Sequence, residues 1–228
     1  MNNEILNSML LQTYFGFSDC DLNDEETLIA KCCDRAYKDM CRTLRFNKAA
    51  GATVYKDRWK DQVSNVVIEA IRNIDPDSVA FDGYHETTCK NMMEVSCEGV
   101  FDNEELHYGQ AQKWFNMTCK YLYLLNYWEN EQDLISTVLH SPIDNYIIQI
   151  ATTNNTTVPD CKFALGIESS DMPSAAWSRW DSIDYTSLQK KLRERLDVWN
   201  KENSSNLSLI DWECYAWIEQ ARIESNGL

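Results

Sequence analysis

The chain has 228 residues, 44% of them hydrophobic, with 8 Trp, 11 Tyr and 7 Phe. That supplies a real core and excludes a disordered chain. A formal charge of −15 excludes a generic nucleic-acid coat protein, which would be basic.

Seven Gly and four Pro are few turn formers, which argues for helices rather than a strand-rich sandwich. The length suits one large domain or two small interlocked ones. The opening MNNEILNSMLLQTYFGF has no basic lead and no full apolar core, so no signal peptide is expected. No run reaches the roughly 18 apolar residues of a membrane span. Nine cysteines, an odd number with Cys32 and Cys33 adjacent and no Cys-x-x-Cys, read as reduced core thiols of a cytoplasmic protein. The sequon at Asn155-Thr156-Thr157 carries little weight without secretion.

Asn23 or Asp24 can cap a first helix, with Glu25 and Glu26 in its first turn. Leu28, Cys32, Ala36, Met40 and Leu44 then form one apolar stripe. Residues 31–60 hold nine Lys/Arg against three acids, a local excess of six positive charges in an acidic chain. A solvated helical face is the commoner cause of such a run, but a local basic site is compatible with it. Gly51 interrupts, and Trp59, Val63, Val67, Ala70 and Ile74 make a second stripe, ended by Asp75-Pro76. A helix is predicted over about 85–98, with Gly99 to end it, and a strong amphipathic helix over 110–127.

A helical turn or two then leads to Leu139. Ser141-Pro142 reads as N-cap and first helical residue of the next helix, to about Ala151, which puts Asp144 in its first turn. Residues 152–176 read as a long polar loop. Helices follow at about 184–202 and 208–224, the last capped by Ser208. The expectation is an all-α chain of seven to eight helices in one domain over 1–228, or two interlocked subdomains, with no internal repeat.

One stretch stands apart. Residues 109–128 contain Lys113 and Lys120 and no acid. Seven residues apart, the two lysines lie within about 20° on one helical face. Either lysine alone, or an acid in a first helical turn alone, is ordinary. The combination Gly109-x-Ala111-x-Lys113, then Lys120, then Pro142-Ile143-Asp144-x-Tyr146-Ile147 resembles the helix-hairpin-helix DNA glycosylases. The nearest likeness is to the archaeal 8-oxoguanine DNA glycosylases, over about 40 residues.

The resemblance implies a helix-hairpin-helix glycosylase-like bundle with its hairpin and aspartate core at about 100–151. It implies Lys113 as nucleophile and Asp144 as the catalytic carboxylate, acting on double-stranded DNA with a damaged or modified base, in repair or in defence against phage DNA. Gly109, Gln110, Ala111, Gln112, Lys120 and His140 are the expected DNA contacts, with backbone amides at 109–111 holding a phosphate. Trp177, Trp180 and Asp181, beside the long loop, are candidates to stack and read a flipped base. The chain departs from the family in having a single hairpin glycine and Tyr146 where many members have His.

No metal or cofactor is expected: His85, His107 and His140 are scattered, and no phosphate loop or dinucleotide fingerprint is present. The competing expectation is a non-enzymatic acidic protein that mimics DNA and binds a protein partner. A bland helical scaffold with a coincidental likeness is the third.

Overall fold

The computed structural model describes residues 3–18, 21–49, 51–76, 80–102, 105–153 and 161–225. Among them the regular structure is helical. The nine α-helices are α1 (Asn3–Phe15), α2 (Glu25–Met40), α3 (Ala52–Arg72), α4 (Phe81–Glu94), α5 (Tyr108–Leu124), α6 (Gln132–Val138), α7 (Asn145–Thr152), α8 (Ser182–Glu202) and α9 (Leu209–Ser225). One isolated antiparallel bridge joins Phe46 to Phe101, and the described residues contain no strand. No described helix is long and apolar enough to cross a membrane.

The centre of the fold is α5. Fifteen consecutive residues, Tyr108 to Leu122, are buried, so this helix is covered on every side rather than on one stripe. α2 lies along it and presents the expected stripe of Leu28, Cys32, Ala36 and Met40, all buried. Trp114 of α5 donates its indole N–H to the Cys33 carbonyl at 3.0 Å and packs its ring on Tyr37. α4 and α8 flank α5 further round, and α9 packs on α7.

Several boundaries differ from the sequence expectation. α1 was not foreseen: it has one charge, Glu4, and few residues that its neighbours bury. α4 runs over 81–94, not 85–98, and Gly99 lies beyond its end, in left-handed backbone at φ 74°. Ser141 is not a cap: Asp144 itself caps α7, receiving the Ile147 N–H on Oδ1 at 3.0 Å. Asp24 and Ser208 cap α2 and α9 as expected. The sequon and residues 154–160 of the long loop lie outside the described residues. The eight cysteines among the described residues are all free.

Candidate functional site

Lys113 and Lys120 line one pocket on the same side of α5. Its cavity volume is about 340 Å³, within the range of small-ligand sites. The other walls come from Tyr14 of α1, Asp39 of α2, Arg42 just after α2, Met117 and Tyr121 of α5, Asp144, and Trp217 and Ile218 of α9. The pocket is therefore built from both ends of the chain around its central helix.

Lys113 Nζ meets Asp144 Oδ2 at 2.7 Å, with side-chain exposures of 6% and 20%. Each carboxylate oxygen thus has one donor, the ammonium on one and the Ile147 amide on the other. Two amide side chains fix the segment that delivers Asp144. Gln112 donates to the Ile143 carbonyl at 3.2 Å and accepts the Ile143 N–H at 3.3 Å. Gln189 of α8 does the same to Ser141, at 2.7 Å and 3.2 Å. With Pro142 between two clamped residues, the carboxylate has a set direction before its helix begins.

Lys120 has a different partner. Its Nζ lies 2.6 Å from Oε2 of Glu213 on α9, and Glu213 is fully buried. The approach is not aligned as a hydrogen bond, so both carboxylate oxygens lack a directed donor. Burial pushes the Lys120 ammonium toward neutrality, but Glu213 outweighs it and holds the pKa above the ordinary lysine value. Lys120 is therefore a fixed cation one turn-pair from Lys113. On the far wall, Tyr121 donates to Asp39, which also binds Arg35, and the Tyr14 and Tyr121 hydroxyls are 2.7 Å apart.

The remaining expected contacts go elsewhere. The amides meant for a phosphate are already used: Gly109 N–H donates to the Trp180 carbonyl, and those of Gln110 and Ala111 to the His107 carbonyl, each at 3.0 Å. A side chain at position 109 would place its Cβ 1.9 Å from the Trp177 carbonyl oxygen, so glycine serves chain packing there. The Gln110 side chain accepts the His107 N–H and donates to Thr43, inside the protein. Gln112 is the clamp described above. His140 is buried between the Tyr185 hydroxyl at 2.8 Å and Asp82 at 2.7 Å, not on a DNA-facing surface.

The three base-pocket candidates lie apart from this pocket. Trp177 and Trp180 are buried core residues over the start of α5, and Asp181 caps α8 through the Asp184 N–H. None of the three lines the Lys113 pocket.

Tyr14, Arg42, Gln189, Glu213 and Trp217 were missed. Trp217 and Tyr14 are aromatic residues 41% and 45% exposed, but nothing in their local sequence separates them from core aromatics. His85, Asn116, Tyr108 and Tyr185 form a further buried network beside α5. No group of residues suited to hold a metal ion is found among the described residues. No protein family, curated protein or solved structure matches the chain.

Proposed function

We propose that the chain is a DNA glycosylase with lyase activity, which excises a damaged or modified base flipped out of the duplex, in repair or in defence against modified phage DNA. The observation that carries this reading is the Lys113–Asp144 contact of 2.7 Å at the wall of an open pocket. A buried lysine kept only for packing has no need of a cavity beside it. The competing reading, an acidic DNA mimic, gives no task to two buried lysines on one pocket wall.

The chemistry runs as follows. A flipped nucleotide enters with its sugar at Lys113 and its base toward Lys120, Trp217 and Tyr14. Asp144 takes a proton from the Lys113 ammonium, and the freed amine lone pair attacks the sugar C1′. The bond from C1′ to the base breaks, and the base leaves with that electron pair and takes up a proton. The Asp144 carboxylate also opposes positive charge growing at C1′. In the resulting aminal the C1′–O4′ bond breaks, O4′ takes up a proton and the nitrogen lone pair forms the Schiff base; loss of a C2′ proton then expels the 3′ phosphate. Lys120, held charged by Glu213, supplies a donor to a carbonyl on the base.

The test is base release from duplexes carrying 8-oxoguanine, uracil or a bulky modified cytosine, read as alkali-labile sites. The wild-type protein is expected to release at least one of them. Asp144→Asn is expected to slow release by about 10²–10⁴-fold, the usual worth of a positioned acid–base group. Absence of release on every substrate would overturn the reading.

A further inference from the structure

Eight of the nine cations of residues 31–60 divide into two groups. Lys31 donates to the Gly16 carbonyl, Arg35 pairs with Asp39, and Lys38 and Lys60 share Asp34. Among the described residues, Arg42, Lys48, Lys56 and Arg58 have no carboxylate within ion-pair reach. Arg42, Lys48 and Arg58 are exposed, and Lys56 is half-buried over the Phe46 ring at 4.5 Å.

These four follow one another along the turn after α2, the extended segment 44–49 and the first turns of α3. That segment is pinned: the Asn47 N–H donates to Val100 at 2.9 Å, Asp102 donates back to Arg45 at 3.3 Å, and Phe46 stacks on Phe101. Arg42, at one end, lines the Lys113 pocket. Arg42 and Lys56 both stand close enough to the Cys41 thiol to oppose the rise in pKa that burial and Asp39 give it, which brings these two of the four cations near one thiol. At the other end Arg58 lines a recess of about 450 Å³ with Tyr55, Gln62, Trp59 and the acid Glu98. The indole N–H of Trp59 is buried and has no acceptor among the described residues.

In a chain with 36 acids these four cations make no ion pair among the described residues, and like charges along a row repel one another unless an anion lies across them. The start of α5, by contrast, has its amides occupied by protein carbonyls. We infer that the DNA backbone is held on the strip from Arg42 to Arg58, and not at the N-terminus of α5. This rests on the glycosylase reading and deepens it: the phosphates run along residues 42–58 and lead the flipped nucleotide into the pocket past Arg42.

Counterion release gives the test. Each phosphate contact contributes about 0.9 to the slope of log affinity against log salt. The probe is a fluorescein-labelled duplex bearing a tetrahydrofuran abasic analogue, followed by anisotropy from 25 to 200 mM KCl. Lys48→Ala/Arg58→Ala, two exposed residues outside the pocket, is expected to flatten the slope by about 1.8 and weaken binding about tenfold at low salt. Arg179→Ala, beside the start of α5, is expected to leave the slope unchanged, with circular dichroism confirming that both variants fold. An unchanged slope in the double variant, or a slope lost in Arg179→Ala instead, would overturn the strip. If the wild-type protein still releases a base in that case, the glycosylase reading stands and only the strip fails. A wild-type protein that neither releases a base nor binds the duplex would overturn both.

Discussion

Lys120 and Glu213 form an ion pair with side-chain exposures of 9% and 0%. Removing one member of a buried pair strands the other charge and costs about 3–5 kcal/mol, whereas replacing both with apolar groups of similar volume is often neutral. Lys120→Met and Glu213→Leu should therefore each lower the urea unfolding free energy by about 3–5 kcal/mol, and the double variant should return close to wild type. Single variants within about 1 kcal/mol of wild type would show that Glu213 is not the charge that Lys120 answers. The lysine was legible in the sequence as half of a seven-residue pair. Its partner was not, because Glu213 sits mid-helix on α9, in a segment with no local feature to mark a buried acid. The same holds for Gln189, an ordinary helical glutamine in sequence, which fixes the Ser141 backbone in space.

At the scale of elements, α5 shows where periodicity informs and where it misleads. The amphipathic pattern over 110–127 gave the helix, which spans Tyr108–Leu124. Its polar residues implied a solvated side, yet Gln110, Gln112, Asn116 and Thr118 are all buried with partners inside the protein. Hydrogen bonds to distant segments leave no trace in local pattern, so a polar face and an internally satisfied face read alike. The same blindness placed Ser141, rather than Asp144, as the cap of α7.

Beside α5, burial lowers the pKa of His140 and lowers that of His85 well below the ordinary value of 6.5. Folding therefore disfavours protonation of both rings, while the unfolded chain takes up protons near pH 6.5. The unfolded state then binds more protons, so stability falls as pH drops below about 6.5. Asp82, whose carboxyl is held low by the His140 hydrogen bond and by Arg193, adds its own loss only below about pH 4, the ordinary carboxylate range. Thermal unfolding between pH 7.5 and 5 should show a falling midpoint that flattens in His85→Gln/His140→Gln. A midpoint flat across that range in the wild-type protein would contradict the lowered pKa of the two buried histidines.

For the whole molecule, composition identified the class and concealed the site. Few turn formers and long apolar stripes gave an all-helical chain, and the structure is one, with the unforeseen α1 adding the Tyr14 wall of the pocket. The charge of −15 argues against DNA as a partner only if it is spread evenly. Four cations over residues 42–58 that make no ion pair among the described residues, one of them on the wall of a pocket with two buried lysines, show that it is not. Trp177, Trp180 and Asp181 fold over the start of α5, and it is α9 that reaches the lysines.

The central claim is that Lys113 is a nucleophile and Asp144 its proton acceptor. The direct measurement is intact mass after borohydride reduction of the protein mixed with each modified duplex, followed by mapping of the linked residue. A single DNA-bearing species, mapped to Lys113 and absent from Lys113→Ala, is the result expected. A stable adduct at another residue, or base release undiminished in Lys113→Ala, would contradict the account.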